Sequence, residues 1–384
     1  MKITLISNNT FSIYGGYERV LEIVLNVLTK KFDCNFSLIS APHYQCLLDG
    51  PIYDDFKTYN ISRESDYKDK TQYCFYIVKK KLFGKKLLIN YFTLEKHIYS
   101  ITNSDIIIVT DPLLISTVYF LLKNRNVNKK IIYWDHGSLM GYLNNYFTRI
   151  IYKNEILESL VLPDAHLTIS SDISNFIKYI NPEAKIFMVY NPLQNYEGQL
   201  IMRSKSNIFL YIGRLSDNEK NISFLLKGLA LIKNKQWKLI IVGTGKDEKM
   251  LQKLAHKLDI SDRIEWLGFR KDPYKNINEV TALMLTSRWE GFPMVLVEAN
   301  QRGVPVISSD CKSGPKDIVI PGVNGYLFKE GDINDFIKVV NDIIEGKLQF
   351  SSPEEISKSS KRFDSDLVIS NIYNSLKKIL EEDF

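Results

Sequence analysis

The segment ALMLTSRWEGFPMVLVEAN, residues 282–300, reads in three steps. An apolar run from Ala282 to Thr286 is the length of a strand buried on both faces. A loop carrying Glu290, Gly291, Phe292 and Pro293 follows, and a helix begins near Met294. Strand, loop and helix in that order form the repeating unit of a parallel sheet covered by helices. The same alternation runs outward in both directions. Strands are expected at Lys2 to Ser7, Cys34 to Ser40, Ile106 to Thr110, Ile131 to Trp134 and Ala165 to Ile169 in the first half. The second half offers Asn207 to Ile212, Trp237 to Val242, Ile264 to Leu267, Ala282 to Thr286 and Pro305 to Ser308. Five strands per half predict an α/β protein of two doubly wound, Rossmann-like domains rather than one barrel.

The length of 384 residues also exceeds what a single core usually serves. Tyr190-Asn191-Pro192-Leu193 and the polar stretch from Gln194 to Asn207 read as a linker. The expected domains are residues 1–193 and 194–364, with a last helix over 365–384 packing back on the first domain.

Composition narrows the class. Hydrophobic residues make up 45% of the chain and charged residues 24%, an ordinary globular balance. The net charge of +6 is too mild to imply nucleic acid. Met1-Lys2-Ile3-Thr4-Leu5-Ile6 lacks the features of a signal peptide and reads as a first strand. No apolar run approaches the roughly 20 residues that cross a bilayer. Cys34, Cys46, Cys74 and Cys311 have neither paired spacing nor a histidine cluster, so free thiols in a reducing cytoplasm are expected. Lys79, Lys80, Lys81, Lys85 and Lys86 stand among aromatic and aliphatic residues, as on a segment resting on an anionic membrane. A solvated helix face beside a core stripe accounts for them equally well.

In open parallel sheets, ligands bind at the loops leaving the carboxyl ends of strands. Within the opening segment, Glu290 at the loop tip and Glu298 about one turn into the helix form an E-x7-E spacing. The backbone N–H groups of Phe292, Pro293's neighbours Met294 and Val295, and the helix dipole favour an anion there. Pro293 suits a helix entrance. A second strand delivers Gly213 and Arg214, and Lys220 returns before the next helix. Two fixed cations suit a departing nucleoside diphosphate. At about 4 Å and an effective dielectric of about 20, one such pair contributes about 4 kcal/mol before desolvation, against about 0.3–1 kcal/mol for a helix dipole. Gly15 and Gly16, after the first strand, let the backbone approach a phosphate or sugar. His136, just past Tyr133-Trp134-Asp135 and before Gly137, is set for a ligand cleft. Lesser candidates are the Gly243-Thr244-Gly245 turn, Phe269 with Arg270, and Gly314-Pro315 with Asp317.

Taken together, these stretches resemble glycosyltransferase family 4, a group of two-domain GT-B enzymes. The likeness covers nearly the whole chain. The LTSRWEGFPM stretch and Asp310-Cys311-Lys312-Ser313-Gly314-Pro315-Lys316-Asp317-Ile318 look most like its lipopolysaccharide core and surface-glycan transferases, including the 1,6-galactosyltransferase group. The resemblance implies an acceptor-binding first domain facing a donor-binding second domain across a cleft. It places Arg214 and Lys220 on the donor diphosphate, Glu298 on the ribose hydroxyls and Glu290 on the sugar hydroxyls. His136 falls near the transferred sugar and the Gly16 backbone near the phosphates.

The activity so implied is retaining and metal-independent transfer of a hexose or N-acetylhexosamine from a UDP-sugar. The acceptor would be lipopolysaccharide, O-antigen, capsule or a lipid-linked oligosaccharide. No cofactor beyond the donor is expected, and no Asp-x-Asp metal signature stands in a plausible site. The location would be cytoplasmic, peripheral on the cytoplasmic face of the inner membrane. A non-catalytic GT-B partner or sugar-binding subunit, and an epimerase or phosphorylase on the same fold, stay open as alternatives. A nicotinamide dehydrogenase lacks its G-x-G-x-x-G fingerprint here.

Overall fold

The computed structural model describes residues 1–7, 16–40, 57–60, 97–137, 139, 141, 143 and 146–382. The five lysines of the basic segment, Gly15, His43, Cys46 and Cys74 lie outside the described residues. The chain divides into two compact units, Met1–Pro192 with Ser365–Phe384, and Leu193–Asp364.

Unit 1 contains β1 (Lys2–Ser7), α1 (Gly16–Phe32), β2 (Asn35–Ser40), β3 (Lys57–Asn60), α2 (Ile98–Thr102) and β4 (Ile106–Val109). It continues through α3 (Pro112–Lys123), β5 (Lys130–Asp135), α4 (Tyr146–Ser159), β6 (Ala165–Thr168), α5 (Ser171–Ile180) and β7 (Ile186–Met188). All seven strands are parallel, in the order β3-β2-β1-β4-β5-β6-β7. β4 and β6 are buried along their whole length, as strands covered on both faces must be.

Unit 2 runs β8 (Met202–Arg203), β9 (Ile208–Ile212), α6 (Asp217–Lys220), α7 (Ile222–Leu231), β10 (Lys238–Val242), α8 (Glu248–Lys257), β11 (Ile264–Trp266) and β12 (Glu279–Val280). After these come β13 (Ala282–Leu285), α9 (Met294–Gln301), β14 (Val306–Ser309), α10 (Pro315–Ile318), β15 (Gly325–Phe328), α11 (Ile333–Ile344) and α12 (Pro353–Ser359). Its main sheet is parallel throughout, ordered β11-β10-β9-β13-β14-β15. Phe209, Tyr211, Leu226, Phe328 and Phe336 are among the buried side chains of its core.

The closing helix α13 (Ser365–Glu381) belongs to unit 1. Phe32 of α1 stacks on its Tyr373 with ring centroids 4.3 Å apart, and Lys31 pairs with Asp366 at 3.0 Å.

Two sequence expectations need correction. The main sheets hold seven and six strands, not five each. β3, β7 and β15 were missed because each is an edge strand of three or four residues. An edge strand needs little continuous apolar surface, so its periodic signal is weak. The polar stretch after Gln194 is also more than a linker. It contains β8, which pairs in parallel with β12. Arg203 of β8 donates to the carbonyls of Phe350, at 3.1 Å, and Ser351.

In each main sheet the strand order reverses once. The chain leaves β1 for β2 on one side and later returns to β4 on the other. In unit 2 the corresponding neighbours are β9 and β13. At such a reversal the loops leaving the two strands diverge and open a crevice.

Candidate functional site

The strand-order reversal of unit 2 is framed by the loop from β9 into α6 and by the loop from β13 into α9. Those loops carry the strongest motifs of the sequence. α6 is one short turn that ends at Lys220, because Asn221 adopts a left-handed conformation at φ 51°. Asn tolerates that region better than most residues. Asp217 holds the turn from its start, accepting from Ser223 N at 2.6 Å and pairing with Ser223 Oγ at 2.7 Å.

Lys220 projects Nζ onto Glu290, 2.8 Å from Oε1 and 2.9 Å from Oε2. Ser287 Oγ donates to the same Oε1 at 2.5 Å. Glu219 adds a second carboxylate, with Oε1 2.9 Å from Lys220 Nζ and Oε2 3.6 Å from Arg214 Nη2. The Lys220 and Glu290 side chains are only 15% and 9% exposed, whereas Arg214 is 70% exposed. Burial works to lower the Lys220 pKa, but Glu290 and then Glu219 outweigh it and leave it raised. The ammonium is therefore charged at any working pH.

The geometry adds what the spacing did not show: Glu290 is ion-paired, and both cations face a carboxylate. A carboxylate this buried requires partners, and Lys220 and Ser287 supply them. The cluster of Arg214, Lys220, Glu219 and Glu290 has a formal charge of zero.

Sequence reasoning missed the residues that tie the two loops together. Thr286 Oγ1 reaches the carbonyls of Lys220 and Asn221, both at 3.1 Å. Arg288 Nη1 donates to the carbonyls of Asp217 at 2.6 Å and Asn218 at 3.0 Å, and Arg288 N donates to Glu219 O at 2.9 Å. Both residues lie in the quoted segment beside Glu290, and that adjacency was the available signal. A third loop braces the arrangement: Glu290 N donates to Lys312 O at 3.3 Å and Ser313 Oγ to Gly291 O at 2.6 Å. Gly314 sits at φ 99°, and a Cβ there would meet Pro293 Cδ at 2.5 Å. Gly243 is as constrained, since a Cβ there would collide with the carbonyl oxygen of Gly213.

The remaining candidates of unit 2 lie on or next to α9. Phe292 is buried and packs edge-on against Phe363 at 5.6 Å. Pro293 is the N-cap and offers no side-chain hydrogen bond to the helix, so the first turn at Met294 and Val295 has no such cap. Glu298 lies in the second turn and is partly buried. Burial first, and then the charge of Glu298, raise the pKa of the buried Tyr274 hydroxyl. Phe269 is 66% exposed, and Arg270 donates to Lys275 O at 3.0 Å.

In unit 1, Gly16 opens α1, and Tyr17 lies next to it beside the sheet reversal. Tyr17 OH donates to Thr110 Oγ1 at 3.0 Å, just beyond β4. His136 follows β5 and packs between Tyr17 and Trp134, with ring centroids at 4.9 and 4.4 Å. Tyr17, next to Gly16, and His136, more than a hundred residues apart, are thus neighbours. His136 is half-buried as a residue, yet both ring nitrogens are buried without a partner at hydrogen-bond geometry. Burial pushes its pKa down to about 3, with the nearby Asn191 side chain opposing weakly. His136 is neutral at physiological pH. Among the described residues no three His, Cys, Asp or Glu side chains converge as metal ligands would, and no helix is long and apolar enough to cross a membrane.

Comparison with known proteins places these features in a family. Residues 194–363 match the model described as "Glycosyl transferases group 1". A lipopolysaccharide 1,6-galactosyltransferase of Salmonella typhimurium is 34% identical over 304 residues, covering 75% of this chain and 80% of that one. An uncharacterized glycosyltransferase of Haemophilus influenzae is 26% identical over 95% of this chain and 96% of its own. Among solved structures, the apo form of the lipopolysaccharide outer core galactosyltransferase WaaB matches with a TM-score of 0.81 and 29% identity, over 98% of this chain and 99% of that one. Anabaena HepE in complex with UDP matches with a TM-score of 0.73 over 98% of this chain and 100% of its own; at 17% identity it speaks for the fold alone.

Proposed function

The chain belongs to the group 1 glycosyl transferases, on the GT-B architecture, and from that premise we propose that it is a retaining, metal-independent family 4 enzyme that transfers a hexose or N-acetylhexosamine from a UDP-sugar. The acceptor in this reading is a lipopolysaccharide core or a related surface glycan, the chemistry borne by the names of the galactosyltransferase relatives. The observation that carries the reading is the convergence of Arg214, Lys220 and Glu290 at the β9/β13 reversal, where open parallel sheets bind ligands.

Departure of a nucleoside diphosphate concentrates negative charge on the β-phosphate as the glycosidic bond lengthens. Lys220, held at fixed geometry by Glu290, and Arg214, exposed at the end of β9, meet that charge without rearranging at the moment of reaction. The uncapped first turn of α9 supplies backbone donors to the same anion. These groups take the part a divalent metal plays in other transferases. Glu298 binds the ribose hydroxyls and Glu290 orients the sugar. In unit 1, a neutral His136 with buried ring nitrogens suits a sugar hydroxyl, and the Gly16 backbone suits a phosphate. With retention, the acceptor hydroxyl attacks from the leaving-group face and passes its proton to the departing phosphate, so no protein base is needed.

The test is release of UDP from a panel of UDP-hexoses and UDP-N-acetylhexosamines, with lipopolysaccharide core acceptors and in the presence of EDTA. Acceptor-dependent turnover that survives chelation, with an α-linked product from an α-linked donor, is expected. A Lys220→Ala protein that folds and keeps near wild-type turnover would overturn the site assignment.

A further inference from the structure

Glu219 is unaccounted for in the transfer chemistry, yet one of its oxygens lies 2.9 Å from Lys220 Nζ and the other faces Arg214 Nη2 at 3.6 Å. The two cations assigned to the diphosphate are thus bridged by a single carboxylate. Glu290 already satisfies Lys220 in a bidentate contact, so Glu219 is not needed to neutralise a stranded charge. Its side chain is 27% exposed, open enough to lose its partners to an incoming anion without being trapped in the core. The backbone around the three residues is fixed: Lys220 N donates to Ser216 O at 2.8 Å, Ser216 N donates to Arg214 O at 2.9 Å, and Arg288 N donates to Glu219 O at 2.9 Å.

From this arrangement we propose that Glu219 is a built-in competitor of the diphosphate: it occupies Arg214 and Lys220 when the site is empty and weakens the hold on the nucleoside-diphosphate product. The inference rests on the reading that Arg214 and Lys220 bind the donor diphosphate. Without Glu219, Lys220 would keep only Glu290 and Arg214 would lose this carboxylate; such a site would bind the more highly charged product too well, since a diphosphate freed of its sugar carries more negative charge than the donor. With the carboxylate present, each phosphate contact replaces an existing ion pair, and the net gain is small. Glu219 also keeps the guanidinium and the ammonium spaced across one carboxylate when no ligand is bound, which preorganises the pair. Its effect on affinity is nonetheless negative.

Glu219→Gln keeps the size and the ability to accept from Lys220 while removing the charge. Titration calorimetry with UDP is expected to show binding about tenfold tighter than wild type, from loss of one like charge near the diphosphate at partial exposure. UDP should inhibit turnover at correspondingly lower concentration. Mere structural damage would weaken binding, so the sign of the change separates the two. Lys220→Ala, measured alongside, is expected to lose UDP affinity. Unchanged or weaker UDP binding by Glu219→Gln, with Lys220→Ala impaired, refutes the competitor role and leaves the diphosphate site standing. If Lys220→Ala binds UDP like wild type, the diphosphate site itself is refuted and the competitor role falls with it.

Discussion

The proposed site is built on a lysine and a glutamate that are 70 positions apart in the chain and pair with each other. Each was legible as a candidate: Lys220 from its place after a strand-end Gly-Arg, Glu290 from its loop before a helix. Their mutual neutralisation was not, because sequence does not show which carboxylate a buried ammonium will meet. The pairing has a stability consequence that can be separated from function. Lys220→Ala leaves Glu290, 9% exposed, with Ser287 as its remaining donor in the cluster. Loss of one partner of a buried pair costs about 3 kcal/mol. In the double variant Lys220→Met with Glu290→Gln no charge is stranded, and the new amide oxygen can still accept from Ser287. Urea denaturation is expected to show most of the lost stability restored in the double variant, while sugar transfer stays abolished. Recovery of transfer along with stability would mean that the pair is purely structural.

Above the single residue, the proposed site is built from short elements held in register with one another. Thr286 is buried, and its hydroxyl links the end of β13 to the carbonyls that close α6. Thr286→Val keeps the shape and removes the link. A cost of about 1–2 kcal/mol is expected for the lost hydroxyl bonds, Asn221 O keeping its backbone donor Phe224 N, with a larger proportional fall in kcat because Lys220 is displaced from its partner. Equal, small effects on stability and turnover would show that the link does not set the lysine. Gly314 tests the third loop. Its φ of 99° and the 2.5 Å approach of Pro293 Cδ exclude a side chain without movement. Gly314→Ala is expected to cost more than about 1 kcal/mol and to shift the loop carrying Glu290; a Tm within a degree of wild type contradicts this. At this scale the sequence was a good guide to the long, doubly covered strands, because continuous apolar runs such as Ile106 to Val109 have no other use in a polar chain. It was a poor guide to β8 and β12, two residues each, whose pairing depends on contacts across 77 positions such as Thr281 Oγ1 to Ser204 O. It was silent on splinting residues such as Arg288, whose guanidinium donates to backbone carbonyls of the neighbouring loop.

At the scale of the whole chain, the two units differ in how they are assembled and in how they should respond to acid. Unit 1 is discontinuous: the chain leaves it at Pro192 and returns only with α13. Val368, Ile369, Ile372, Leu376 and Ile379 of that helix are all buried. At about 1.5–3 kcal/mol for each buried aliphatic side chain, their removal rivals the roughly 5–15 kcal/mol that stabilises a domain. Truncation after Asp364 is therefore expected to unfold unit 1, detectable as loss of amide protection in β1 and β4. Unit 1 also holds two histidines whose burial pushes their pKa values down, His136 to about 3 and His166 to about 4. An unfolded histidine titrates near about 6.5. Because the folded values are depressed, the stabilising contribution is complete above pH 6.5 and is lost as pH falls from there toward 4 and then 3. Each residue contributes a slope of about 1.4 kcal/mol per pH unit within its window. His166 is the cleaner probe, lying in β6 with both ring nitrogens buried and no part in the proposed chemistry. Hydrogen exchange measured from pH 6.5 to 4.5, corrected for intrinsic rates, is expected to show unit 1 strands losing protection while β9 and β10 of unit 2 hold theirs. His166→Leu, which cannot titrate, should halve the pH slope of unit 1. An unchanged slope would assign the acid sensitivity to carboxylates instead, which is the one competing source with the same sign.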